Sequence, residues 1–402
     1  MKTRFRSHLP SIALKPALVA VALAGALAVS GMGPAPVAGA APAAVPLPHV
    51  GHVFVIALEN ESATSTFGTP AADPYLATTL PSEGAFLPNF YATGHESNDN
   101  YISMVSGQPA NIFNQVDCPL YLDFFNLFTL AGIDEGLGCI FPAATPNVGN
   151  QLTTAGLSWK TYQQDMGNVP TREAAACGHP AVNSYDGTQS AVAGDGYATR
   201  HDPFVYFHSV IDNPSYCNAH VVAMGSTSGA LPATAVAGET GLATDLRSIA
   251  TTPNYSFITP NLCNDGHDFP CTNQTGGASA LADIDSFLST WVPLITSSPA
   301  FQQDGLLEIT FDEGTTTDAA ACCGETPGLG SLLPGIFGAG GGRVGAVLLS
   351  PFIAPGTTTS TAYNHFSALA SIETNFGLPR LAEALTVTST FGPDVFTRPT
   401  GH

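Results

Sequence analysis

Two apolar runs far apart in this chain stop in the same way. Val53-Phe54-Val55-Ile56-Ala57-Leu58 meets Glu59-Asn60, and Leu306-Leu307-Glu308-Ile309-Thr310-Phe311 meets Asp312-Glu313. Short apolar runs rich in β-branched and aromatic residues read as strands buried in a parallel sheet. A sheet apolar on both sides must be covered on both faces, which commits the chain to an α/β architecture. Ligands of open α/β sheets sit just beyond the C-terminal strand ends. Hard oxygen donors arriving there from two distant points mark a candidate cation site.

The alternation continues along the chain, and no internal repeat interrupts it. Ser158–Tyr162, Pro203–Phe207, Tyr255–Thr259 and Val344–Leu349 read as further strands, and Ala85–Thr93 reads as extended. Asp73-Pro74-Tyr75-Leu76 opens a helix with proline in its first turn, ending near Gly84. A helix starts at Asn100–Val105, and another covers Val148–Ala155. Ala278–Thr296 is amphipathic, with Leu281, Ile284, Leu288, Trp291 and Ile295 on one face. His365–Phe376 is stopped by Gly377. The expected fold is a mostly parallel central sheet flanked by helices on both faces, with a loop-rich insertion at about 108–200. Residues 314–342 read as a long excursion beside the strand ends, a candidate lid. Its run Gly340-Gly341-Gly342 lacks the spacing of a dinucleotide or P-loop motif.

The first 40 residues read as a secretory signal peptide. Lys2, Arg4, Arg6 and Lys15 form a basic start, Ala17–Val29 is apolar, and Ala38-Gly39-Ala40 offers a small-residue cleavage site. The other reading is a membrane anchor, for which the apolar run is short of the ~20 residues a span needs. Residues 41–48 are a Pro/Ala-rich linker, leaving 49–402 as one domain. The eight cysteines of an exported chain favour disulfides. Cys263–Cys271 is the favoured local pair, while Cys322 and Cys323 either bond elsewhere or bridge each other. All 31 acids but only 7 of the 11 basic residues follow the signal, so the exported chain carries about 7 − 31 = −24. That balance argues against nucleic acid and against anionic membranes as partners. A negatively charged substrate would then depend on a metal or on local donors.

Several segments carry side chains suited to chemistry, each with a bland alternative. Glu59-Asn60 is either an oxygen pair for a metal or a polar exit from a strand. In His95-x-Ser97-x-x-Asn100-Tyr101, Ser97 is either a nucleophile at a helix N-terminus or an N-cap. Asn261, Asn264, Asp265, His267 and Asp268 crowd one short stretch, as a metal or phosphate site does and as an Asn/Asp-rich turn also does. Asp312-Glu313 is an acid pair at the end of a buried strand, costly unless a cation balances it. His201 and His365 are either functional imidazoles or packed ones. No G-x-S-x-G elbow exists, which disfavours a serine triad.

Taken in order, these segments resemble the bacterial phosphoesterase family of the alkaline phosphatase superfamily, which holds secreted acid phosphatases and phospholipases C. The matching stretches are His52–Asn60, Pro74-Tyr75-Leu76, His95–Tyr101, Arg200-His201-Asp202-Pro203, Asn264–Asp268, Thr310–Glu313 and Tyr363-Asn364-His365. The resemblance implies an alkaline phosphatase-like fold. It implies that Glu59, Asn60, Asp312 and Glu313 hold a divalent metal together with Ser97, the nucleophile. It gives Asn100 a hydrogen bond to a phosphoryl oxygen. Asp265, His267 and His365 would line the opposite side, where two-metal relatives hold a second ion, or would act here as phosphate ligands or as acid and base, with His95 and His201 near the site. Relatives with two zincs carry Asp-His at the second strand end, so Asp312-Glu313 is a departure. An all-oxygen site suits Mg²⁺, Mn²⁺ or Ca²⁺ better than Zn²⁺. The expected function is a secreted acid phosphatase working on phosphate monoesters through a phosphoserine, with an optimum below neutral pH. A phospholipase C-type phosphodiesterase and a non-catalytic binding protein of the same fold are the alternatives.

Overall fold

The two apolar runs lie side by side in one sheet. A computed structural model describes residues 47–68, 72–227, 241–271, 276–325 and 331–398. The signal-peptide reading and most of the linker therefore fall outside the described residues. The central sheet has eight strands: β1 His52–Leu58, β2 Ala85–Leu87, β3 Trp159–Gln163, β4 Val221–Ala223, β5 Tyr255–Thr259, β6 Gly305–Phe311, β7 Ala346–Leu349 and β8 Thr357–Thr358. Their order is β8-β2-β7-β6-β1-β5-β3-β4. The block β6-β1-β5-β3-β4 is parallel. β7 runs antiparallel to both β6 and β2, so the sheet is mostly rather than wholly parallel.

Every residue of β1 and of β6 is buried. Register places Val55 opposite Glu308 and Ala57 opposite Thr310. Because side chains alternate along a strand, Glu308, Thr310 and Asp312 project to one face with Val55, Ala57 and Glu59. Two helices cover that face: α1 Ser97–Ser106 and α2 His365–Phe376. All ten residues of α1 are buried, and Gly107 ends it in the left-handed region at φ 68°. Asn364 caps α2 by accepting from Ser367 N–H at 2.8 Å. On the other face Phe54 meets Phe301 of the short helix Pro299–Asp304, ring centroids 6.3 Å apart. The amphipathic helix spans Ala280–Thr296 and buries Ile284, Leu288, Trp291 and Ile295.

Two readings are corrected. Pro203–Tyr206 is a 3₁₀ turn rather than a strand. Proline starts the turn, and a short apolar run has no period that separates strand from buried turn. The insertion at 108–200 contributes β3 to the central sheet. Its outlying part is a hairpin, Phe125–Leu130 paired with Ile133–Leu137. The cysteines pair as Cys118–Cys139, Cys177–Cys217, Cys263–Cys271 and the vicinal Cys322–Cys323, leaving none free.

Candidate active site

The ends of β6, β1 and β5 draw three acids together through the backbone. Asp312 N–H donates to Leu58 C=O at 2.8 Å, and Glu59 N–H donates to Asp265 C=O at 2.9 Å. Asn60 takes φ 59°, and its N–H donates to Asp312 Oδ1 at 3.1 Å. Asparagine tolerates that left-handed turn better than most residues. Asp265 lies in the loop closed by Cys263–Cys271. The loop passes so close to β1 that a Cβ on Gly266 would sit 2.7 Å from Ile284 Cδ1 and 3.2 Å from the Glu59 carbonyl. Gly266 also holds φ 105°, so both space and conformation call for glycine.

Ser97 is the first residue of α1 and faces this cluster. The helix N-cap position belongs to Glu96, which makes no side-chain cap. Ser97 Oγ instead donates to Glu59 Oε2 at 2.8 Å. His201, from the 3₁₀ turn Thr199–His201, stands between two acids: Nε2 is 3.2 Å from Glu59 Oε1 and Nδ1 is 3.2 Å from Asp265 Oδ2. Tyr101 stacks on its ring at 5.1 Å and 6°. His365 Nε2–H donates to the Asp312 carbonyl at 2.6 Å, while its Nδ1 has no partner. His267 sits at the edge. Its Nδ1 is 2.9 Å from Asp268 Oδ1, and its Nε2 is 3.0 Å from Arg200 Nη2.

Two predicted site residues are turned to other tasks. Asn100 Oδ1 accepts from Thr93 N–H and Gly94 N–H, both at 3.0 Å, and its Nδ2 lies within 2.9 Å of the Gly94 and Glu96 carbonyls and Asp99 Oδ1. The amide is fully engaged in bracing the loop before Ser97, so the structure replaces a phosphoryl donor with a brace. The Glu313 carboxylate pairs with His95, whose Nε2–H donates to the Asp318 carbonyl at 3.0 Å. That pairing makes His95 the partner of Glu313, which is not among the ligand atoms grouped with Glu59, His201 and Asp265.

Burial dominates the electrostatics. It pushes Glu59 well up, aided by the charges of Asp312 and Asp265. Burial also pushes Asp265 up, and Asp312 up to about 8. His201 is driven well down by burial and by Arg200 and His267, and His365 is lowered to about 4 by burial. Burial opposes the Arg200 charge, but Asp117, Glu59 and Asp265 outweigh it and raise the guanidinium. Asp312 Oδ2 is buried without a hydrogen-bond partner, and Glu59 Oε1, Asp265 Oδ2 and His201 Nε2 are buried with no aligned hydrogen bond, only the 3.2 Å contacts around His201. Ligand atoms of Glu59, His201 and Asp265 lie within 4.8 Å of one another. Orphaned acceptors in a crowd of acids fit a divalent cation. That group includes His201 and Asp265, which the sequence reading placed outside the first metal site, and does not include Glu313. His201 adds an imidazole to the oxygens, a donor that suits Zn²⁺ as well as other divalent metals. A second group, Cys263, Cys271 and Asp283, has its sulfurs joined in a disulfide and offers no thiolate.

Sequence reasoning passed over Arg200 and Asp117. Arg200 is buried, with Nε 3.5 Å from Asp117 Oδ2, and Asp117 Oδ1 accepts from Asn98 N–H at 3.0 Å. The signal for Arg200 was its place beside His201 in a matching segment, whereas Asp117 carried none.

With this geometry in view, the chain belongs to the phosphoesterase family, which it matches over residues 75–379. It is 27% identical over 302 residues to an acid phosphatase of Aspergillus fumigatus, covering 75% of this chain and 50% of that protein. It is 23% identical over 362 residues to a phosphatidylinositol-3-phosphatase of Mycobacterium tuberculosis, covering 90% of this chain and 88% of that one. The chain spans 50–58% of the length of the Aspergillus fumigatus, Penicillium chrysogenum and Kluyveromyces lactis phosphatases it matches. Among solved structures, an alkaline phosphatase superfamily protein from Vibrio parahaemolyticus aligns with TM-score 0.48 at 11% identity, over 85% of this chain and 71% of that one.

Proposed function

We propose that this chain is a secreted, metal-dependent acid phosphatase that hydrolyses phosphate monoesters through a phosphoserine intermediate. The observation that carries the reading is the 2.8 Å hydrogen bond from Ser97 Oγ to Glu59 Oε2, set among buried acids with unpartnered oxygens. Family membership and relatives named acid phosphatase support it. The basic and apolar start of the chain and its four disulfides support export. No helix among the described residues is long and apolar enough to cross a membrane.

In this reading Glu59, Asp265, Asp312 and His201 hold the cation beside Ser97, with Asn60 shaping the strand exit. A bound divalent cation lowers the pKa of the serine hydroxyl and offsets phosphoryl charge. Glu59 Oε2 orients Ser97 Oγ for in-line attack. Glu59 Oε2 takes the Ser97 Oγ proton as the Oγ–P bond forms and the ester P–O bond breaks, and that proton reaches the leaving alcohol oxygen through water. Water then attacks phosphorus and returns Ser97 with inorganic phosphate. Arg200 supplies fixed positive charge, and positioning with electrostatics accounts for most of the acceleration.

One observation favours a second reading, an amphiphilic substrate of phospholipid type. Ile112 and Val116 are exposed on one flank, and Leu332, Leu333 and Phe337 on the other. Gln115 ties the flanks by donating to the Leu333 and Pro334 carbonyls at 3.0 and 2.6 Å, and His95 N–H also donates to Pro334 C=O at 2.9 Å. Assays of p-nitrophenyl phosphate, bis-p-nitrophenyl phosphate and phosphatidylcholine under one set of conditions separate the readings. Fastest turnover of the monoester, lost in Ser97→Ala, supports a phosphatase. Fastest turnover of a diester replaces it with the second reading.

A further inference from the structure

A carboxyl that takes no part in the chemistry above lies directly beneath it. Glu308 sits in the middle of β6 on the face that carries Asp312, opposite Val55. It is only 2% exposed, and its carboxyl makes no hydrogen bond to another described residue. It lines a space of about 10 Å³ together with Val55, Met104, Tyr255, Thr310 and His365. That volume is on the scale of one water molecule, roughly 10–15 Å³ by the same measure.

The same space explains an oddity of His365. Its Nε2 faces the Asp312 carbonyl, an acceptor only, so Nε2 carries the proton. A neutral ring then presents a lone pair at Nδ1, and Nδ1 is buried without a donor. Of the polar groups on the wall, the Thr310 hydroxyl already donates to Gly345 C=O at 3.0 Å. Tyr255 and Glu308 remain. Tyr255 lies opposite Val53, one step further down the sheet face from the site than the Val55–Glu308 pair.

We infer that Glu308 is a positioning residue for His365: its carboxylic acid donates, through one water in this space, to Nδ1, and so fixes the tautomer that keeps Nε2–H on the Asp312 carbonyl. A carboxyl can donate only while it holds its proton, and burial pushes Glu308 up to about 8. Outer partners of this kind typically change activity by about 10- to 100-fold when removed. The kinetic consequence rests on the phosphoesterase reading, whereas the tautomer assignment stands without it.

The test uses full-length protein as purified, labelled with ¹⁵N-histidine, as wild type, Glu308→Gln, Glu308→Leu, Glu308→Met and Tyr255→Phe. The His365 signals are assigned by their loss in His365→Asn. Wild type, Glu308→Gln and Tyr255→Phe are expected to show one tautomer at His365, protonated at Nε2. Glu308→Leu and Glu308→Met are expected to show a mixture. With p-nitrophenyl phosphate, kcat in the two apolar variants should fall about tenfold with KM held within about twofold, and Glu308→Gln should restore it to within about threefold. An unchanged His365 spectrum in both apolar variants overturns the inference, and so does a spectrum moved by Tyr255→Phe instead. If no variant, wild type included, hydrolyses phosphate esters, the functional reading fails while the spectra still decide the inference.

Discussion

Ser97 Oγ donates a 2.8 Å hydrogen bond to Glu59 Oε2, joining the first residue of a buried helix to the first residue beyond a central strand. Both partners are buried, so water does not compete for the contact. Ser97→Ala should lower kcat with p-nitrophenyl phosphate by at least about 10³-fold while leaving the thermal midpoint near that of wild type. Trapping of ³²P on wild type but not on the variant, after an acid quench, would support the phosphoserine. Undiminished turnover in Ser97→Ala would remove Ser97 from the chemistry.

Cation binding should be proton-linked. Without a cation, Glu59 and Asp265 are pushed up by burial and Asp312 up to about 8, so the free cluster retains protons in mildly acidic solution. Binding must expel them, so apparent affinity should rise with pH as the cluster loses its protons, including near pH 8 where Asp312 does so. Chelation should abolish activity, and raising free metal tenfold should move the acid limb of the pH–rate profile to lower pH. An acid limb indifferent to metal concentration would contradict this linkage.

Glu308 should make stability fall with pH. Burial pushes its carboxyl up to about 8 in the folded chain, from an ordinary value of 4.5. Below the lower value both states are protonated and no penalty exists. Between the two, the unfolded chain releases a proton that the folded chain keeps, which costs about 1.4 kcal/mol per pH unit. Melts of wild type and Glu308→Gln at pH 5 and pH 8 should therefore diverge, with the variant gaining at pH 8. Parallel curves would show that the carboxyl titrates normally.

Gly266→Ala should impair the site through the backbone. The added methyl meets Ile284 Cδ1 and the Glu59 carbonyl, and φ 105° is disfavoured for alanine. A cost of about 1–3 kcal/mol in stability is expected, with a loss of activity larger than that destabilisation explains. Urea unfolding and kcat/KM on one preparation check it; wild-type values for both would mean that the loop yields freely.

How much was legible in the sequence follows from which signals are local. The strand exits at Glu59 and Asp312 could be read because unbroken apolar runs announce buried strands. Ser97 could be read because a hydroxyl preceded a helical pattern. The part played by His201 could not, since it arrives on a 3₁₀ turn without periodicity and gains meaning only between Glu59 and Asp265. Glu313 was misjudged because one residue past a strand nothing in the pattern fixes which way a side chain turns, and His95 claimed it. Asn100 looked like an open donor, yet its amide was needed by the backbone of Thr93 and Gly94. Glu308 was visible all along as the polar letter in an apolar run, but a run is read by its majority.

The complete burial of α1 divides the molecule's evolutionary freedom in two. A helix without a solvent face cannot swivel or drift without disturbing the core on every side, so the placement of Ser97 is inherited with the fold. Leu332 and Phe337 have no such neighbours and are 76% and 70% exposed. Selection can rewrite positions of that kind residue by residue without disturbing Ser97 or the acids around it.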